Sequence, residues 1–242
     1  MTSIEEMSMN AWPSLQTVLY DGWVLRLAEG FTRRANSVNP IYPSSLDAAT
    51  KIEACERLYT SKGLKTIFKI TPAVFPENLD GLLAARGYEK INVTSLMALD
   101  LKDFNDGSSG NSRLSRSPDE SWIYDACRMN GITDADRGIM KRMLQCIAHK
   151  SLFVSVQAEG KTAACGMAVI ENGHMGLFDI VVDSGLRGRG LGRQLMKELL
   201  CLGRSEGATK AYLQVMKDNL PAVRLYEGLG FVKAYEYWYR AL

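Results

Sequence analysis

A run of helix, strand and helix occurs twice in this chain, and it limits the possible folds more than any other feature. In the first half, residues 52–60 carry helical spacing and lead to Ser61-Lys62-Gly63. The strand-like run 65–70 follows, and a second helical run ends Leu82-Leu83-Ala84-Ala85-Arg86-Gly87-Tyr88. In the second half, residues 194–200 lead to Ser205-Glu206-Gly207, then to the strand-like run 210–215, then to a helix ending Leu225-Tyr226-Glu227-Gly228-Leu229-Gly230-Phe231. Gly207 stands 144 residues after Gly63, and Gly230 stands 143 after Gly87. A near-constant offset across three elements reads as two copies of one fold. The alternative is a coincidence of two common α/β patterns.

Between the copies lies KDFNDGSSGNSRLSRSP, residues 102–118, with almost nothing apolar. Such a segment buries too little surface to order itself and reads as a flexible linker. The expected division is therefore residues 1–101, the linker 102–118, and residues 119–242. A length of 242 residues suits one large domain or two small ones.

Composition narrows the function. Apolar residues make up 46% and charged residues 23%, which excludes wholesale disorder. No apolar run reaches the ~18 residues of a membrane span, and the opening MTSIEEMSMN lacks the basic and apolar regions of a secretory signal. A cytoplasmic protein without membrane partners is expected. The net charge of +2 is too balanced to indicate nucleic acid. Cys55, Cys127, Cys146, Cys165 and Cys201 are odd in number and form no C-x-x-C, and only His149 and His174 could join them. Neither a disulfide framework nor a metal site is expected.

In the second copy, periodicity predicts helices over 123–129 and 137–148 and strands over 152–157, 162–170 and 175–183. Glu159-Gly160 and Asn172-Gly173 are turn signals, the second a hairpin type, so the strands beside it should be antiparallel. The strand ending near Asp183 enters a helix that returns to the strand 210–215. That crossover makes a parallel pair. The fold class is α+β: tandem units, each a mixed, mostly antiparallel sheet flanked by helices.

Between that strand and that helix lies Leu186-Arg187-Gly188-Arg189-Gly190-Leu191-Gly192-Arg193. A glycine-rich turn at a helix N-terminus bares backbone N–H groups at the positive end of the helix dipole. It can cradle a phosphate, or it can be a tight turn with solvated arginines. The Gly-Lys-Ser/Thr of a Walker loop is absent. The dinucleotide spacing G-x-G-x-x-G and its acidic residue after the next strand are also missing.

Arg187-x-x-Gly190-x-Gly192 resembles the R/Q-x-x-G-x-G/A signature of the GNAT superfamily of N-acetyltransferases. Leu213-Gln214-Val215 followed by Asn219-x-Pro221-Ala222-x-x-Leu225-Tyr226-x-x-x-Gly230-Phe231 resembles the family's second conserved block. The two together are more specific than either alone. Within the family, residues 174–242 are most similar to the ribosomal-protein N-terminal acetyltransferases. The first half resembles a degenerate copy.

The resemblance implies a cleft for acetyl-CoA where two strands splay. Ile180, Val181 and Val182 would lie beside the pantetheine arm, with backbone groups of Ile180 and Val182 pairing to it. Arg187, Gly188, Arg189, Gly190, Leu191, Gly192 and Arg193 would hold the pyrophosphate. Asn219 would contact the CoA arm or cap the following helix. Tyr226 would protonate the leaving thiolate or pack in the core. The acceptor would be an amine of a small molecule or peptide. Where the nearest relatives carry a glutamate base, this chain has Gln214, which cannot take a proton at neutral pH. Asp179 and Glu236 are candidate substitutes, and a water relay would need neither. A non-catalytic CoA or acyl-CoA sensor is the alternative function.

The first copy lacks the glycine loop. Asn39-Pro40-Ile41-Tyr42-Pro43-Ser44-Ser45-Leu46 stands in its place, and the positions matching Tyr226 and Asn219 are Leu83 and Pro76. Strands are expected over 22–27 and 31–38, with Arg33, Arg34 and Asn36 lining an acceptor pocket or a solvated strand face. Residues 235–239 alternate as a strand.

Overall fold

The computed structural model describes residues 2–104, 107 and 112–242. The chain divides into two compact units, Met1–Ser95 with Tyr235–Leu242, and Leu96–Ala234. The first unit holds helix α1 (Thr2–Ala11), strands β1 (Gln16–Tyr20), β2 (Trp23–Leu27) and β3 (Val38–Asn39), helix α2 (Ala48–Ser61), strand β4 (Ile67–Ile70) and helix α3 (Leu79–Ala85). Strand β5 (Glu89–Asp100) begins in the first unit and ends in the second. The second unit continues with β6 (Ser112–Ser115), α4 (Glu120–Asn130), α5 (Asp134–Gln145), β7 (Lys150–Ala158), β8 (Lys161–Glu171), β9 (His174–Val182), α6 (Leu191–Ser205), β10 (Lys210–Met216) and α7 (Leu220–Glu227). Strand β11 (Val232–Ala241) returns the chain to the first unit.

The order α2–β4–α3 in the first unit matches α6–β10–α7 in the second, the pattern that the sequence repeats. In the first unit β1, β2, β3, β4 and β11 are successive neighbours, with β3–β4 parallel and the other pairs antiparallel. In the second, β10 and β9 are parallel, and β9–β8, β8–β7 and β7–β6 are antiparallel. Within each unit the strand pairing is thus mixed and mostly antiparallel.

Each unit has its own core. Trp23, Leu25, Ile52, Tyr59, Phe68, Leu83 and Tyr88 fill the first. Leu152, Val154, Met175, Leu177, Leu195, Leu199, Leu213 and Phe231 are among those that fill the second. Local chemistry sets the element ends. The Asp119 carboxylate accepts from Trp122 N–H at 2.8 Å to start α4, and Gly131 stops it in the left-handed region at φ 67°. Glu159-Gly160 and Asn172-Gly173 all take positive φ, as two-residue hairpin turns require.

Three expectations are corrected. The last strand does not stay in the second unit: from Tyr235 on it belongs to the first, where Trp238, Tyr239, Arg240 and Ala241 pair with Ile70, Lys69, Phe68 and Ile67 of β4. The segment 102–118 is not wholly linker, because Ser112–Ser115 pairs with Phe153–Val156 of β7; residues 105, 106 and 108–111 lie outside the described residues. Finally, residues 31–38 are not a strand, and only Val38 and Asn39 are extended into the sheet. The Asn36 side chain takes over the local backbone. It accepts from the N–H groups of Ala28 and Gly30 and donates to the carbonyls of Phe31 and Thr32. Such side-chain bonds compete with a strand ladder. Arg33 and Arg34 lie in a short 3-10 turn, and Asn36, buried, is committed to this loop.

Candidate active site

The parallel pair β9–β10 does not run the length of its strands. Pairing extends from His174 with Lys210 to Leu177 with Leu213 and ends there. Beyond it, β9 continues to Val182 and β10 to Met216, so the strands part and leave a wedge at their C-terminal ends. Open α/β sheets bind ligands at such ends, where backbone N–H and C=O groups lie unclaimed by a neighbouring strand.

A bulge in β9 sits at the mouth of the wedge. Met167 of β8 pairs with Phe178, and Cys165 pairs with Val181, so Gly166 alone opposes Asp179 and Ile180. Asp179 takes φ 50°, a strained value for a residue with a side chain. The charge of its carboxylate is felt at the buried thiols of Cys127 and Cys165. Both thiols are pushed up in pKa, chiefly by burial, Cys127 to about 11.

After Val182 the Asp183 carboxylate accepts from Gly185 N–H at 3.0 Å and pairs with Arg128 of α4 at 2.9 Å. These contacts hold the Asp183 carboxyl below the usual carboxylate range, the Arg128 bond first among them. The glycine loop follows. Gly188 and Gly190 lie at φ 77° and 78°, and a Cβ at either would meet nothing within 4 Å. Glycine is needed there for backbone conformation, not for space. Gly190 caps α6 without any side-chain bond, and the first helical bond runs from Gln194 N–H to Gly190 C=O at 3.0 Å. The N–H groups of Leu191, Gly192 and Arg193 therefore have no acceptor within the helix. Gly192 is spatial: its Cβ would lie 3.3 Å from Leu225 and 3.4 Å from Val182.

An open cleft of about 320 Å³ runs along this helix start, lined by Gly107, Gly190, Arg193, Gln194 and Lys197. Arg187 is exposed, and Arg189 is paired with Glu159 of the β7–β8 turn. Gln194 and Lys197 were not singled out in the sequence, although positions three, four and seven along a helix share one face. The loop, its arginines and the free ends of β9 and β10 are thus brought together around one end of the sheet.

The remaining candidates fall on both sides of it. Gln214 is the first residue of β10 past the last pair. Asn219 caps α7, its Oδ1 accepting from Ala222 N–H at 3.4 Å. Tyr226 is buried on α7, edge-on to Phe231 with centroids 6.1 Å apart, and burial pushes its hydroxyl up to about 12. Glu236 belongs to the first unit. Among the described residues no three His, Cys, Asp or Glu side chains gather as a metal-binding group, and no helix is long and apolar enough to cross a membrane.

A splayed parallel pair, a bulged strand and an uncapped glycine loop on this α+β sheet define the GNAT class of N-acetyltransferases. The chain belongs to the family described as "Probable histone acetyltransferase Rv0428c C-terminal", which matches residues 1–240. It is 34% identical to the "Uncharacterized N-acetyltransferase YobR" of Bacillus subtilis, over 98% of this chain and 96% of that protein. It is also 34% identical to the ribosomal protein bS18 alanine N-acetyltransferase of Salmonella typhimurium, over 34% of this chain and 56% of that one. Among solved structures, a GCN5-related N-acetyltransferase from Kribbella flavida matches with a TM-score of 0.72 and 17% identity, covering 99% of this chain and 94% of that one. A tandem GNAT protein from the clavulanic acid biosynthesis pathway matches with a TM-score of 0.65 and 14% identity, covering 99% and 87%. These structural likenesses concern the fold.

Proposed function

We propose that this N-acetyltransferase takes its acetyl group from acetyl-CoA and passes it to a primary amine of a small molecule or peptide, at the wedge of the second unit. The observation that carries this reading is the juxtaposition of the β9–β10 wedge with the uncapped start of α6. An extended arm can pair with the free edge of β9 at Ile180–Val182 while its pyrophosphate meets the amides at Gly188–Arg193. Arg187 and Arg193 add positive charge.

In this reading the wedge holds thioester and amine in attack geometry, and a backbone N–H of the bulged strand stabilises the oxyanion. Tyr226, with its pKa raised to about 12, keeps its proton at neutral pH and gives it to the departing thiolate. Gln214 orients the amine or a water without accepting its proton, and the Asp179 carboxylate, supplied by the bulge, takes the proton that the attacking amine loses, directly or through a water. Asn219 shapes the start of α7 as its cap.

Thermal unfolding with acetyl-CoA, CoA, NAD and ATP in parallel tests the cofactor. A ligand at ~100 Kd stabilises by about 2.7 kcal/mol. A shift with acetyl-CoA and CoA alone is expected, and no shift with either would remove the assignment. Turnover with an amine panel then separates the enzyme from a binding module that only senses CoA. Tyr226→Phe is expected to lower kcat by about 10²-fold with CoA affinity little changed. Equal kcat in the variant and the parent would return Tyr226 to its packing against Phe231.

A further inference from the structure

The two sides of β9 show what its bulge accomplishes. Met175 packs on Gly203 of α6, and Leu177 lies in the same core. Strict alternation would turn Asp179 next toward that core, setting a carboxylate against Leu195 and Leu199. The extra residue of the bulge reverses the alternation. Ile180 meets the core instead, Val182 follows it beside Gly192, and Asp179, within electrostatic reach of Cys127 and Cys165, falls on the other side. The reversal occurs where β9 leaves β10, so one local distortion fixes both the wedge and the direction of its carboxylate.

Opposite the bulge stands a glycine whose backbone does not need to be one. Gly166 lies outside the left-handed region, so its value is the room that it leaves. A Cβ there would lie 2.5 Å from Ile180 Cδ1, 3.3 Å from Leu199 Cδ1 and 3.4 Å from Leu195 Cδ2. Cδ1 is the end of the Ile180 side chain, and the ends of Leu195 and Leu199 crowd the same Cβ, which leaves that side chain less room to turn aside.

We propose that Gly166 is a positioning residue for acetyl transfer: by leaving space for Ile180 it seats the bulge and so aims the backbone of residues 179 and 180 at the reacting thioester. It touches neither substrate. The proposal rests on the acetyl-CoA reading given above. The new Cβ would strike β9 at 2.5 Å but meet α6 only through side-chain ends at 3.3–3.4 Å, so the chemical step should respond more than cofactor affinity.

The test uses Gly166→Ala, Ile180→Val and the double variant. Ile180→Val removes the very atom that the new Cβ would strike, so the double variant moves one methyl group and conserves volume. For Gly166→Ala, kcat at saturating acetyl-CoA and amine is expected to fall about tenfold or more, because misplacing a reacting group by 1 Å can cost that much. The Kd for CoA, by calorimetry, should change less than about threefold. The double variant should recover kcat to the level of Ile180→Val alone. A folded Gly166→Ala with parental kcat would overturn the proposal, as would a double variant no more active than Gly166→Ala. Should Gly166→Ala fail to fold, a folded and active double variant would support it, and an inactive one would overturn it. A parent protein that neither binds CoA nor turns over acetyl-CoA would instead overturn the underlying reading, and this proposal with it.

Discussion

Replacing Glu5 by alanine is expected to remove about 3–5 kcal/mol of stability from the first unit, the usual cost of breaking a buried ion pair from one side. Glu5 lies on α1 with 1% of its surface exposed. One carboxylate oxygen accepts from Lys69 of β4 at 2.5 Å, and the other accepts from the Tyr235 hydroxyl of β11 at 2.5 Å. Lys69 also sits 4.2 Å over the Tyr237 ring. Burial already pushes the Lys69 pKa down, and Glu5 opposes that shift. Without Glu5 the ammonium loses its counter-charge in the interior, so its folded pKa falls further below the unfolded value of ~10.4. Between those values the unfolded chain binds a proton that the folded variant does not, so stability rises with pH across the window. The variant's deficit should therefore be full near neutral pH and shrink as pH rises toward ~10. Urea unfolding followed by tryptophan fluorescence checks this, because Trp12, Trp23 and Trp238 belong to the first unit and only Trp122 to the second. A parental midpoint at pH 7 would contradict it.

Gly190→Pro is expected to abolish measurable CoA binding while the second unit stays folded. Proline fixes φ near −65°, whereas Gly190 stands at 78°, so the turn into α6 cannot form as it is. The substitution also deletes one amide donor and re-aims those after it. Charge-assisted bonds are worth about 1.5–3 kcal/mol each, so losing two of them lowers affinity by roughly 10²-fold or more. Gly190→Ala separates the causes. It keeps the N–H and meets no neighbour, so only the cost of positive φ remains, and a small loss is expected. Parental affinity in a folded Gly190→Pro, by calorimetry, would remove the phosphate-cradle assignment.

The chain's local chemistry made much of this legible. The turns at Glu159-Gly160 and Asn172-Gly173 and the crossover from β9 to β10 through α6 follow from residue type and period. The glycine loop stood out because three glycines gather at a helix start, where backbone N–H groups lie bare. What stayed hidden depended on distant partners. The aromatic alternation of 235–239 marked a strand, but nothing in it names β4 as the neighbour. The apolar run Gly176–Val182 read as one uninterrupted strand. Its one signal of a bulge was a carboxylate on the side meant for the core. Residues 31–38 misled for the opposite reason: their strand character is real, but one asparagine side chain outcompetes it. Of the proposed site, the glycine loop was readable, while the wedge and the seat of the bulge depend on where pairing stops.

That Tyr235–Leu242 completes the first unit has a consequence for how the protein is made. The second unit, Leu96–Ala234, is one contiguous stretch of chain, whereas the first is incomplete until Tyr235–Leu242 joins it. Its β4 waits with an open edge, and Lys69 and Glu5 wait for their tyrosine, through the entire translation of the segment between. Non-local pairings of this kind are slow, and the exposed strand edge in the interval is open to wrong partners. The half of the molecule that is synthesised first thus depends on a strand that is synthesised after the other half.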